Sequence, residues 1–308
     1  MLKQLIGYSK NEPYSMWPNV DQFQKTNLLY TKAKVDEEHN ETFIIVKNGI
    51  TQLYFQFHKL EWDTNHFKFN CEKICNCFID CNLEIKEIDL IVKEIKPKIY
   101  NYLKSNNTTF VFADIPSLNI IANLFVQKLG FAFILNWLDG FVLSENVHNI
   151  TRNYEFGNIL PKEIEQIVNI SSKNYYKGGR FYLDKKFDKK TIDQLYGSLI
   201  KTSIENKNDV LICRKEGKPI GAFISNVVKE YTSFSKIKVA GLRFLVLDPK
   251  YRGMNIGSEL FSAILNYYNG KTNIITTGLE SHNLISLNLH IKKGFKFNYS
   301  HNAYHLWI

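Results

Sequence analysis

A glycine loop at residues 252–258 carries the most chemical information in this 308-residue sequence. Leu245-Val246-Leu247 is an apolar, strand-like run that stops at Asp248-Pro249, a turn signal. Arg252-Gly253-Met254-Asn255-Ile256-Gly257-Ser258 then opens a helical pattern. Strand, glycine loop and helix start, in that order, make an anion cradle. Backbone N–H groups of the loop and first helical turn converge on one point, and the helix dipole adds positive potential there. Glycine keeps side chains from holding a phosphate away from the backbone. The dinucleotide fingerprint, with three glycines at fixed offsets, and the Gly-Lys-Ser/Thr nucleotide loop are both absent. An ordinary strand-to-helix turn shares the remaining pattern, so the loop needs a companion.

The companion is Asn283-Leu284-Ile285-Ser286-Leu287-Asn288-Leu289-His290-Ile291-Lys292-Lys293-Gly294-Phe295. Leu284, Leu287 and Ile291 recur at helical spacing, and Gly294 stands where a helix ends. The two segments resemble the two cofactor motifs of the GNAT N-acetyltransferases, Arg/Gln-x-x-Gly-x-Gly/Ala and Asn-x-x-Ala-x-x-x-Tyr-x-x-x-Gly-Phe. Arg252, Gly257, Asn283, Gly294 and Phe295 match outright. Asn255 replaces a glycine, which is tolerable because Asn adopts positive φ more readily than other side-chain-bearing residues. Ser286 replaces alanine and His290 replaces the tyrosine. A helix near 259–268 and a strand near 272–279 separate the motifs, in the family's order. The resemblance implies an α/β GNAT fold, a mixed and mostly antiparallel sheet flanked by helices.

The bulk properties fit such a protein. The length suits two domains, and 44% hydrophobic residues can build a core. A formal charge of +9 favours an anionic ligand. The lysines form no basic stripe, so nucleic acid is not an expected partner. Met1 to Tyr8 turns polar before a signal core develops, and Gly130 to Leu143 is too short to span a bilayer and carries Asp139. No membrane association and a cytoplasmic location are expected; a homodimer is compatible with the sequence. Cys71, Cys75, Cys77 and Cys81 share a parity, so a strand would turn them to one face as small core residues. Their spacing departs from the paired Cys-x-x-Cys of zinc knuckles, and no metal is expected.

The second motif has an upstream echo. Residues 119–133 align without gaps on 283–297, with Asn, Ile, Lys, Gly, Phe and Phe coincident, and Phe110-Val111-Phe112-Ala113 stands where Ile274-Ile275-Thr276-Thr277 stands. No glycine lies between Gly49 and Gly130, so this first half lacks a cradle. The resulting division is a polar extension over 1–45, a degenerate GNAT-like half over 46–150 walling the substrate side, and an acetyl-CoA-binding GNAT domain over 151–308, with a boundary near 148–153. Within the last, helices are expected over 161–170 and 191–205, and a strand over 237–247. Strands 210–213 and 221–227 are joined by a Lys215–Lys218 hairpin.

Leu60-Glu61-Trp62-Asp63-Thr64-Asn65-His66-Phe67, Arg180-Phe181-Tyr182-Leu183-Asp184-Lys185-Lys186-Phe187 with Leu195-Tyr196 downstream, and the closing Ala303–Ile308 resemble segments of the dTDP-fucosamine acetyltransferase group. That group acetylates the amine of a nucleotide-linked amino-deoxy sugar. The resemblance implies direct acetyl transfer from acetyl-CoA to a primary amine within a ternary complex. Backbone of Leu245, Val246 and Leu247 would pair with pantetheine. Arg252, Gly253, Met254, Asn255, Ile256, Gly257 and Ser258 would hold the pyrophosphate, and Asn283 the pantetheine arm. His290 stands at the general-acid position, with a packed helix histidine as the other reading. Glu280 is the best-placed carboxylate to deprotonate the amine, with His282 its rival. Arg180, Phe181 and Tyr182 would hold the sugar nucleotide, or else form a packed loop. Two other functions fit: a GNAT-like acyl or aminoacyl transferase acting on an amino acid, peptide or polyamine, and a non-catalytic acyl-CoA-binding module.

Overall fold

The computed structural model describes residues 40–145, 154–228 and 237–308. The boundary expected near 148–153 and most of the N-terminal extension lie outside them. The chain forms two compact units, one of residues up to Leu138 with Asn298–Ile308, the other Asp139–Phe297. Both are mixed α/β with mostly antiparallel strand pairing, as the motifs imply. No described helix is long and apolar enough to cross a membrane.

The described part of the first unit opens with strands β1 (Glu41–Lys47) and β2 (Ile50–Lys59), joined by a tight turn with Asn48 and Gly49 both at positive φ. Strand β1 thus starts inside the segment read as a polar extension. Helix α1 (Glu61–Phe67), strand β3 (Asn70–Ile79), helix α2 (Ile85–Ser105), strand β4 (Thr108–Pro116), helix α3 (Ile120–Leu129) and strand β5 (Ala132–Leu143) follow. Strand β3 lies antiparallel to β2 and parallel to β4, and β11 (Lys296–Trp307) runs antiparallel to β4. Ile88, Ile95 and Ile99 of α2, with Ala122, Phe125 and Val126 of α3, pack on Phe55 and Val111. Cys71, Cys75 and Cys77 lie in β3, with Cys77 against this core; Cys81 falls in the turn beyond.

The second unit contains β6 (Glu155–Asn158), α4 (Ile164–Asn174), α5 (Arg180–Leu183), α6 (Lys189–Glu205), β7 (Asp209–Lys215), β8 (Lys218–Val228), β9 (Val239–Leu247), α7 (Ile256–Tyr268), β10 (Ile274–Glu280) and α8 (Leu284–Lys292). Each expected element here is present, with ends moved by up to four residues. Pro161 opens a 3-10 turn, delaying α4 to Ile164, and Asp188 caps α6 through Thr191 N at 2.8 Å. The β7–β8 hairpin turns on Glu216 and Gly217, both at positive φ.

Alternation in the strands sorts this core. Leu211, Cys213 and Phe223 pack with Leu260, Phe261 and Ile264 of α7, while Val210, Ile212 and Ile224 pack with Ile167 and Ile200 of α4 and α6. Strand β9 switches sides midway. Ala240 and Leu242 face α7, but beyond Arg243 it is Leu245 and Leu247 that do so, and Phe244 and Val246 turn to α4 and α6. The cause is a bulge: Ile224 pairs with Phe244 and Ser225 with Leu242, leaving Arg243 unopposed. The parallel pairing of β9 with β10 also ends there, at Leu242 and Thr277, although both strands continue. One edge of β9 beyond the bulge is therefore open opposite the end of β10.

Candidate active site

The cradle forms at the end of that open strand. Pro249–Tyr251 makes a 3-10 turn, with Asp248 accepting from Lys250 N at 3.0 Å. Gly253 (φ +78°) and Asn255 (φ +61°) take left-handed conformations and swing the chain into α7. Asn255 caps with its backbone only; the first helical bond runs from Glu259 N to its carbonyl at 3.1 Å. The N–H groups of Ile256, Gly257 and Ser258 precede that bond and need outside acceptors. A Cβ added at Gly257 would meet nothing within 4 Å. Packing does not require glycine there, but an anion approaching the helix end does. These residues fit a pyrophosphate.

The side chain of Arg252 is engaged within the protein. Its guanidinium donates to the carbonyls of Leu247 (3.4 Å) and Asn174 (2.8 Å), tying the end of β9 to the C-terminus of α4, where a cation also complements the helix dipole. The equivalent helix of the first unit, α2, starts in the opposite sense. Glu84 N donates to Glu87 Oε2 at 3.0 Å, so the helix end is capped and carries two carboxylates. An anionic ligand is disfavoured there by charge as well as by the missing glycines.

Glu280 ends β10, facing the gap left by the parting strands. Asn283 Nδ2 donates to Glu280 Oε2 at 3.5 Å, and Asn283 Oδ1 accepts from Ser286 N at 3.3 Å, capping α8. A loop from α4 closes over this turn. His282 Nε2 donates to Gly178 O at 3.0 Å, and Tyr176 Oη donates to His282 O at 3.5 Å. Gly179 is buried in the loop; a Cβ there would sit 3.2 Å from Tyr196 Oη and 3.3 Å from Glu280 Oε1. Tyr196 projects from α6, stacked on Tyr175 at 4.2 Å with its ring 5.4 Å from Phe244. Burial and the neighbouring Glu280 raise its pKa, against a smaller opposing effect of Arg180, so the phenol stays protonated. Sequence reasoning assigned no role to Tyr196 or Gly179. The available signal was the Gly178-Gly179 pair directly before Arg180.

His290 lies in the core, 6% exposed, with the rings of Phe261 and Phe295 at 4.6 and 5.0 Å. Its Nδ1 donates to Ser286 O at 2.7 Å, which leaves Nε2 to accept from Thr277 Oγ1 at 3.0 Å. Burial pushes the imidazole pKa down to about 4, overcoming the opposing backbone bond to Ser286. The expected imidazolium at this position therefore has no support: the ring is neutral at pH 7 and both nitrogens are engaged.

The expected substrate triplet is divided. Phe181 is buried against Phe187 (ring centroids 5.1 Å apart), so its faces are not free to stack on a ligand. Tyr182 is half-buried, with the ammonium groups of Lys177 and Lys189 over its ring at 5.9 and 5.6 Å. Arg180 lies over the Phe181 ring at 4.8 Å. Three cations, Lys177 in the loop, Arg180 at the start of α5 and Lys189 at the start of α6, thus stand over neighbouring rings.

Residues 164–295 match the acetyltransferase (GNAT) family model. An uncharacterized N-acetyltransferase of Methanocaldococcus jannaschii is 23% identical over 148 residues, which cover 47% of this chain and 62% of that protein. The spore coat polysaccharide biosynthesis protein SpsD of Bacillus subtilis is 18% identical over 218 residues, 70% of this chain and 73% of that one. Two solved structures share the fold. One holds a GCN5-related glucosamine N-acetyltransferase region in a fungal multi-domain β-N-acetylglucosaminidase (TM-score 0.62, 12% identity, 99% of this chain and 37% of that chain). The other is a tandem GNAT protein from the clavulanic acid biosynthesis pathway (TM-score 0.56, 11% identity, 99% and 94%). The match to the archaeal relative spans under two thirds of its length.

Proposed function

We propose that this chain, whose residues 164–295 belong to the acetyltransferase (GNAT) family, moves an acetyl group from acetyl-CoA to a primary amine. The observation that carries the reading is a glycine-lined helix start without a side-chain cap, at the end of a strand whose pairing has lapsed opposite Glu280. The N–H groups of Ile256, Gly257 and Ser258 hold the pyrophosphate, and the open edge of Leu245 to Leu247 pairs with the pantetheine amides as an added strand would. Glu280 accepts a proton from the incoming ammonium, directly or through water, and Asn283 orients it. The amine then attacks the thioester carbonyl directly.

The acceptor is the amine of a nucleotide-linked amino-deoxy sugar. Support comes from Lys177 and Lys189 over the ring of Tyr182 and Arg180 over the adjacent Phe181, cations that suit a phosphorylated substrate, and from the similarity to a polysaccharide biosynthesis protein. The test is an acetylation assay with dTDP- and UDP-linked 4-amino sugars set against free amino acids, polyamines and peptides. Arg180→Ala should weaken sugar-nucleotide binding by about 1.5–3 kcal/mol, as for a charge-assisted hydrogen bond, with acetyl-CoA affinity retained. Preference for any free amine over every nucleotide sugar defeats the substrate assignment. Binding of acetyl-CoA without transfer to any amine defeats the enzyme reading.

A further inference from the structure

Acetyl transfer leaves a thiolate that gains from a proton, and the residue at the expected acid position, His290, is locked in the core. Tyr175, Tyr176 and Tyr196 lie in or against the loop that meets Glu280. Tyr175 Oη donates to Asp193 at 2.7 Å and Tyr176 Oη to the His282 carbonyl at 3.5 Å. Tyr196 Oη has no hydrogen-bond partner among the described residues, and it shares with Glu280 Oε1 the space in front of Gly179. Its ring lies beside Phe244, the first residue of β9 beyond the bulge, where the strand edge opens.

Resting on the transferase reading above, we infer that Tyr196, from helix α6, supplies the proton to the departing sulfur in place of a residue on α8. The substrate ammonium gives one proton to Glu280, which passes it to solvent. The free amine bonds to the acetyl carbon, and the carbon–sulfur bond breaks. Nitrogen still carries a surplus proton, which moves to the tyrosine oxygen as the phenol proton moves to sulfur. The products are the amide and the free thiol, and the phenol is restored. A relay of this kind needs no accumulated tyrosinate, which suits a phenol whose environment resists ionisation. The loop glycine follows from the same geometry: a methyl at Gly179 would crowd both the phenol oxygen and the carboxylate, at 3.2 and 3.3 Å.

Tyr196→Phe keeps the ring stacked on Tyr175 and removes only the hydroxyl. In single-turnover mixing with saturating amine, CoA release should slow roughly 10- to 1,000-fold, while calorimetric acetyl-CoA affinity changes less than about threefold. The deficit should shrink with an acetyl thioester of an acidic thiol, such as 4-nitrothiophenyl thioacetate, whose leaving group needs no proton. A purely structural role would give the same deficit with both donors. An active wild type whose Tyr196→Phe variant turns over within about threefold of it, or whose deficit ignores the leaving group, overturns the tyrosine assignment alone. A wild type that binds acetyl-CoA yet acetylates no amine overturns the transferase reading, and this inference with it.

Discussion

The hydroxyl of Thr277 and Nε2 of His290 share a 3.0 Å hydrogen bond inside the second unit, where the first unit has two apolar residues, Ala113 and Val126, at the aligned positions. A polar pair has been built into a core site. With the imidazole held down near pKa 4, the unfolded chain binds a proton between pH 6.5 and 4 that the folded chain refuses. Stability should be undiminished by this group above pH 6.5 and fall as pH drops toward 4, by up to about 3 kcal/mol. Urea unfolding at pH 7 and 4.5 checks this against the Thr277→Ala/His290→Val pair, which should lose less on acidification. Equal losses would remove His290 as the cause. The same variant should retain acetyl transfer; an acid at 290 would lose it.

The two units use the same cap at α3 and α8. Asn119 Oδ1 accepts from Ala122 N at 3.1 Å and Asn283 Oδ1 from Ser286 N at 3.3 Å, with Gly130 and Gly294 ending or following each helix at positive φ. Replacing either Asn by Ala should cost about 0.5–2 kcal/mol of stability. Only Asn283→Ala should also slow turnover, because only Asn283 reaches Glu280. Thermal melts and acetylation rates on the two variants separate the roles; equal catalytic loss in both would dissolve the distinction.

Gly179 has a backbone that any residue can adopt, φ −71° and ψ 159°. Gly179→Ala should therefore fold, with a stability change below about 1 kcal/mol. Its methyl would displace Tyr196 Oη or Glu280 Oε1 by a few tenths of an ångström, and turnover should fall by roughly 10-fold or more. Full activity in a folded Gly179→Ala protein would place the reacting atoms elsewhere.

Local patterns revealed most of the second unit. Alternation, the Asp-Pro stop and the glycine loop depend on neighbours in sequence, so the strand, cradle and helix from Val239 to Tyr268 could be read directly. The fate of His290 could not, because its burial and its second hydrogen bond are set by Thr277, thirteen residues away, and by the rings of Phe261, Phe295 and Phe297. A hint existed in the internal alignment, which puts buried Val126 opposite His290. The guanidinium contact of Arg252 was not legible either: the carbonyl of Asn174 reaches it from 78 residues away. Tyr196 stands out in the sequence only as part of a resembling segment, without a chemical role, because only the folded loop at Gly179 sets it beside Glu280.

The most direct test of the account is calorimetric titration of the full chain with acetyl-CoA. Gly257→Glu should fold, since a side chain there starts in open space, but it puts a carboxylate at the helix end that receives the pyrophosphate. One site per chain is expected in the wild type and none in Gly257→Glu. Two sites, or undiminished binding by Gly257→Glu, would contradict it.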